Sequence, residues 1–184
     1  MGQYREERYK GWKRRNAPYL IAACLALVMV LLGGPEVMDG ESMSPTINDG
    51  DLLIVSKHDY SEKRGRIPDR DKIVILEKAR SMDVADDNII TRVIGLPGET
   101  IEIKDGQVFI DGKRHTTEGG IRGAVGGDMK VKLKKGHVFV MGDNREMSEY
   151  DSRNEDLGVI NMKDDIKGNV LLRVWPIGEF GTIE

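Results

Sequence analysis

Apolar and polar positions change pattern twice along this chain of 184 residues. Residues 17–34, APYLIAACLALVMVLLGG, form one uncharged, mostly apolar run. As a helix rising ~1.5 Å per residue it would reach about 27 Å, enough for a thin bilayer core. From Met38 onward the pattern becomes short apolar runs of strand length, bounded by Gly, Asn, Asp and Pro. LLIVSK (52–57), KIVILEK (72–78), IITRVIGL (89–96), HVFVMG (137–142) and GNVLLRVWPI (168–177) each predict a strand. ETIEIKDGQVFIDGK (99–113) alternates around the turn dipeptides Asp105-Gly106 and Asp111-Gly112, the signature of a hairpin. Two stretches predict loops: the polar SEKRGRIPDR (61–70) and the glycine-rich TEGGIRGAVGGDMK (117–130). The expected architecture is one mostly β, antiparallel domain over 35–184, preceded by one N-terminal transmembrane helix.

Charge sharpens this picture. Residues 1–16 carry a net +4, and the formal total is −3, so the rest of the chain carries −7. A basic head of 16 residues therefore precedes an apolar run and an acidic body. By the positive-inside rule the head is a cytoplasmic tail, 17–34 spans the cytoplasmic membrane once, and the C-terminal domain lies outside. A buried core helix fits poorly, because the run is apolar on every side. A cleaved signal peptide lacks a small-x-small site after the run. Ile21-Ala22-Ala23-Cys24 superficially resembles a lipoprotein box, but eight apolar residues follow Cys24. An uncleaved signal anchor is the best reading. Cys24 is the only cysteine, so the exported domain has no intrachain disulfide. The acidic body gives no reason to expect nucleic-acid binding.

Candidate chemistry is narrow. His58, His115 and His137 are scattered without metal-ligand spacing, and no phosphate-binding or dinucleotide loop occurs, so neither a metal nor a small-molecule cofactor is expected. Two segments stand out. GESMSPTINDGD (40–51) follows the apolar run closely, and Pro45 restricts the backbone beside Ser42. Taken alone it also reads as an ordinary turn with capping hydroxyls. MGDNREMSEYDSRNEDLGVI (141–160) packs Asp143, Asn144, Arg145, Ser148, Asp151, Ser152 and Arg153 behind an apolar strand. That density suits a buried hydrogen-bonding network, or a solvated acidic loop.

Together the segments resemble the bacterial type I signal peptidases, in their Gram-positive form. The family pattern Gly-x-Ser-Met-x-Pro-Thr-x-x-x-Gly-Asp is met by Gly40 to Asp51. Its Arg-Val-Ile-Gly-x-Pro-Gly-Asp is met by Arg92 to Glu99, with Glu99 for Asp. Its Gly-Asp-Asn-Arg-x-x-Ser-x-Asp-Ser-Arg runs from Gly142 to Arg153, and GNVLLRVWPIGEFG resembles the last strand. The resemblance spans roughly 17–181. It implies an antiparallel β-sheet catalytic domain of the signal-peptidase and LexA-like type. It also implies a membrane-anchored serine endopeptidase that removes N-terminal signal peptides from exported preproteins after small-x-small sites. Ser42 would be the nucleophile, its backbone N–H part of the oxyanion hole. Ser148 would hydrogen-bond the base, and Asp143, Arg145, Asp151 and Arg153 would support the site. The partners implied are the membrane and the signal peptides of exported preproteins.

The chain departs from that pattern where the general base belongs. The family places a lysine immediately before Arg-Val-Ile-Gly, and here that residue is Thr91. A threonine hydroxyl ionises too weakly to accept a proton near pH 7. The support loop is also longer: Ser148-Glu149-Tyr150-Asp151 holds one extra residue, and the spacing from Arg153 to Gly158 exceeds the usual by two. The family's Gly-Asp before an Ile-Val-Val strand reads Asp71-Lys72, which makes Lys72 a candidate amine beside Lys57 and Lys78. Three readings follow: an active peptidase with a relocated base, a silent relative that binds exported or pilus proteins as an assembly factor, or a peptidase dedicated to one precursor.

Overall fold

The computed structural model describes residues 16–24, 33–57, 60–77, 88–117, 126–148, 151–155 and 157–183. Residues 16–24 are helical. The remainder of the 17–34 run lies outside the described residues, except Gly33 and Gly34, which are not helical. Gly34 already belongs to the β domain, its carbonyl accepting from Val55 N at 3.0 Å. Among the described residues no helix is long and apolar enough to cross a membrane.

Among the described residues eleven strands follow in chain order: β1 (Pro35–Val37), β2 (Leu52–Lys57), β3 (Ile73–Glu77), β4 (Asn88–Gly95), β5 (Thr100–Lys104), β6 (Gln107–Ile110), β7 (Lys113–His115), β8 (Met129–Lys132), β9 (His137–Met141), β10 (Ile160–Asn161) and β11 (Ile166–Trp175). They form a seven-stranded sheet, β1-β2-β11-β3-β4-β9-β10, and a four-stranded sheet, β7-β6-β5-β8. Every ladder between these strands is antiparallel. The mostly β, antiparallel architecture read from the sequence is therefore present. The stretch 117–130 corrects one detail. Met129 and Lys130 open β8, where Val131 pairs with Ile101 and Met129 with Ile103. The glycines ahead of them masked a short strand. Residues 118–125 lie outside the described residues.

Three apolar clusters explain the run patterns. One packs Tyr60, Val74, Leu76, Ile89, Val93, Val138, Val140 and Ile166. A second packs Leu53, Val55, Ile73, Ile75, Ile90 and Val170 against Met43 and Ile47. A third joins the two sheets through Ile94, Ile101, Ile103, Phe139 and Met141. β4 lies between all three, so its two faces are both apolar and alternation is lost. The only polar residues inside that run, Thr91 and Arg92, are both fully buried. Burying a side chain such as Met43 or Ile47 is worth about 1.5–3 kcal/mol, which fastens the loop carrying Ser42 to the sheet.

Candidate active site

Ser42 sits in a turn between β1 and β2. Ser44 N donates to Glu41 O at 3.1 Å and Ile47 N to Met43 O at 3.0 Å. Met43 and Ile47 point into the core, which leaves Ser42 half-buried above them. The turn is tied to the segment after β9, because Asn144 N donates to Ser42 O at 2.9 Å. At its far end Asp51 accepts from Asn48 N at 3.0 Å and from the Arg173 guanidinium of β11 at 2.6 Å.

Gly142 is the crossing point. A Cβ on Gly142 would meet Ser148 Oγ at 2.3 Å and Ser42 O at 2.6 Å. The two serines therefore flank one glycine, and the close approach is what excludes a side chain there. β9 pairs with β4 through Val140–Val93 and Met141–Arg92. Thr91 precedes Arg92 on β4 and Gly142 follows Met141 at the end of β9, so continuing that ladder by one residue would bring the two opposite each other. Thr91 itself is wholly buried on β4. Its Oγ1 is fully buried and has no hydrogen-bond partner among the described residues. We expect Gly142→Ala to cut activity by about 10²-fold, since a misplacement near 1 Å has that effect. Preprotein cleavage alongside the circular dichroism spectrum tests this; full activity in the variant would contradict the crowding.

Arg92 turns to the opposite face and meets Asp143. Arg92 Nε donates to Asp143 Oδ1 at 2.8 Å and Nη2 to Oδ2 at 2.7 Å, both side chains being almost wholly buried. Thr46 Oγ1 donates to the same carboxylate at 2.5 Å, and Arg92 Nη1 donates to Asp71 O at 2.6 Å. One ion pair thus binds the serine turn, β4 and the segment after β9. Desolvating two charges is tolerable only when both are fully paired. Asp143→Asn leaves the guanidinium without its counter-charge, and a loss of about 3–5 kcal/mol in urea unfolding is expected. An unchanged midpoint would show that the pair does not hold the site together.

The lengthened support loop keeps its ion pair. Asp151 is buried and takes a bidentate contact from Arg153, with Nη2 to Oδ2 at 2.6 Å and Nε to Oδ1 at 3.0 Å. Arg153 Nη2 also reaches Ser148 O at 3.5 Å. Ser152 anchors the loop to β9, its Oγ accepting from Val140 N and its own N–H donating to Val140 O, each at 2.9 Å. Glu149 and Tyr150 lie outside the described residues. Arg145 is buried, and its Nε has no partner among the described residues. Burial brings it down to about 10, partly offset by Asp143, so it stays a cation at neutral pH.

Other departures find places too. Glu99, standing for the family's Asp, accepts from Leu96 N at 2.8 Å and from Arg70 Nη1 at 2.9 Å, fixing the turn between β4 and β5. Asp71 adopts φ 63°, a left-handed geometry that Asp tolerates where glycine would be easiest. Its carboxylate contacts His115 Nε2 at 3.0 Å. Burial alone would raise the Asp71 carboxyl, but His115, Thr117 and Arg92 together hold it below its ordinary value. His137 Nδ1 contacts Lys135 O, and His58 lies outside the described residues. Lys57 and Lys72 are exposed at strand ends, as is every other lysine among the described residues; Lys78 lies outside them.

The sequence therefore names Ser42, Thr91, Asp143, Arg145, Ser148, Asp151 and Arg153, and the fold brings Ser42 and Ser148 together about Gly142 with two buried ion pairs behind, while Thr91 is buried on β4 beside Arg92. Sequence reasoning passed over Thr46, Asp51, Gly142 and Arg173 as braces. All four lie inside the segments quoted for the resemblance, but their partners are far away in the chain.

A model of the family described as signal peptidase, peptidase S26, matches residues 12–175. The chain is 32% identical over 195 residues to "Signal peptidase I" of Bacillus caldolyticus, covering 98% of each. It is 35% identical over 159 residues to "Signal peptidase I P" of Bacillus subtilis subsp. natto, covering 79% of this chain and 80% of that one. It is 29% identical over 191 residues to "Signal peptidase IB" of Staphylococcus aureus, covering 91% and 94%.

Proposed function

The chain belongs to the signal peptidase family, peptidase S26, and from that membership we infer that it is a serine endopeptidase removing N-terminal signal peptides from exported preproteins. The observation that carries the reading at residue level is the meeting of Ser42 and Ser148 at Gly142. In this reading Ser42 Oγ attacks the carbonyl of the scissile peptide bond after a small-x-small site. The backbone N–H of Ser42 stabilises the developing oxyanion. The Arg92–Asp143 and Asp151–Arg153 pairs keep the serine turn and the Ser148 loop in register. The base is the weak element, because Thr91 accepts no proton at neutral pH.

The membrane role is part of the same proposal. The basic head and the apolar run 17–34 form a single-pass signal anchor in the cytoplasmic membrane, with residues 35–184 outside. Tyr19, Leu20 and Ile21 are exposed on the helix, and Val37, Trp175, Ile177 and Phe180 are exposed on the β domain. Val37 pairs with Leu52, and Leu52 with Trp175, so these three residues lie in one row across three strands, with Ile177 and Phe180 following β11. Tethering both enzyme and membrane-inserted substrate to one surface raises their effective concentration.

One observation favours a second reading. The orphaned Thr91 hydroxyl and the exposure of every described lysine leave no amine shown beside Ser42. The chain would then bind exported or pilus proteins as an assembly factor without turnover. The deciding experiment uses the full-length chain in detergent with a preprotein carrying an Ala-x-Ala site, and sequences the new N-terminus. Cleavage after the second Ala supports the peptidase; stable binding of the preprotein without a product supports the assembly factor.

A further inference from the structure

A cleft of about 690 Å³ is lined by Ser61, Lys63, Arg64, Lys135, Asn161 and Lys163. It lies between the β2–β3 crossover and the β9–β10 edge. Lys135 and Gly136 precede β9, whereas Gly142 follows it. Six extended residues separate the two points by about 20 Å, so the cleft is distinct from the serine site.

Its walls are held by the backbone. Ser61 N donates to Arg66 O at 2.8 Å and Arg66 N to Ser61 O at 3.0 Å, closing the crossover loop on itself. Met162 N donates to Gly136 O at 2.9 Å, joining the other two walls. Four cations therefore face one concavity in a body whose charge is otherwise negative. The nearby carboxylates of Asp164 and Asp165 are engaged by Asn161, through Nδ2 and the backbone N–H, each at 2.8 Å. Lys63, Lys135 and Lys163 make no ion pair among the described residues. Like charges gathered in one concavity repel one another, and a bound anion lowers that repulsion.

We propose that this cleft binds a phosphate-bearing anion. The ammonium groups of Lys63, Lys135 and Lys163 and the Ser61 hydroxyl together supply the many donors that phosphate oxygens accept. A single carboxylate would leave most of them unused. The same chemistry arises from an anionic lipid headgroup or from a soluble phosphate compound, and the test separates the two.

The full-length chain in neutral detergent is titrated calorimetrically with inorganic pyrophosphate and with short-chain phosphatidylglycerol, at constant potassium chloride. The cleft variant is K63A/K135A/K163A. A charge-matched control, K104A/K113A/K132A, removes exposed lysines of the small sheet. Surface lysines tolerate such changes, so both variants keep the fold. The expected result is saturable binding in wild type and control, weakened about tenfold or more in the cleft variant. Tighter binding of phosphatidylglycerol assigns the ligand to a headgroup, and tighter binding of pyrophosphate to a soluble compound. Absence of saturable binding by both probes, or equal weakening in cleft variant and control, overturns the proposal.

Discussion

Ser42→Ala is expected to reduce cleavage of an Ala-x-Ala preprotein to the uncatalysed background. The substitution removes one oxygen and leaves the backbone of the turn intact, including the Ser42 carbonyl that accepts from Asn144 N. Met43 and Ile47 still bury the turn, so stability should change by no more than about 0.5 kcal/mol. Loss of a nucleophile that acts with a full set of partners costs on the order of 10⁶ in rate. Here the fall should be smaller. The wild-type rate already lacks the ~10²–10⁴ that a positioned base contributes, and Ser42→Ala removes what remains. Product formation by the variant at the wild-type rate would remove Ser42 from the reaction.

Thr91→Lys should act in the opposite sense, raising kcat/KM by about 10²–10⁴. Position 91 stands on β4 next to Arg92, whose partner Met141 immediately precedes Gly142, and it is wholly buried. A lysine there loses solvent, which disfavours its ammonium form and lowers its pKa toward the working range. The gain should therefore grow with pH until the amine is neutral, giving the variant a rising limb that wild type lacks. Thr91→Val provides the control. It keeps the shape and removes a hydroxyl that already lacks a partner, so stability should hold or rise by about 1 kcal/mol, with the rate unchanged. A folded Thr91→Lys that cleaves no faster than wild type would sink the missing-base account. A slower Thr91→Val would mean that the hydroxyl itself takes part.

These two experiments also divide the readings of the chain. If Ser42→Ala abolishes a measurable wild-type rate, another group accepts the proton, and Lys78, outside the described residues, becomes the first to replace. If wild type shows no rate but Thr91→Lys does, the groove is preserved and the chain works by binding. The buried ion pairs make the second outcome interpretable, because Asp143 and Asp151 hold the serine turn and the Ser148 loop in place whatever stands at position 91.

Much of the strand order could be read along the chain, because a strand writes itself locally. β2, β3, β4, β9 and β11 appear within one or two residues of their apolar runs, and Asp105-Gly106 lies at the turn between β5 and β6. β1, β8 and β10 escaped, being two to four residues long and carrying too little pattern to stand out. The serine segment and its support segment were visible as dense polar motifs. Which partners brace them was not visible, since Arg92 and Asp143 lie 51 positions apart and Arg173 and Asp51 lie 122 apart.

The sequence by itself determined that a basic head and an apolar run precede an acidic, strand-rich body, that Ser42 stands in a motif resembling that of the signal peptidases, and that Thr91 stands where that resemblance would put the base. Those are properties of residue identity and local period. Only the tertiary structure decided that Ser42 and Ser148 meet at Gly142, that the Thr91 hydroxyl is buried without a partner among the described residues, that the described lysines are exposed, and that three of them share one cleft with an arginine. Such facts depend on which strands become neighbours, and sheet order is set by burial of faces across the whole chain rather than by any short stretch of it.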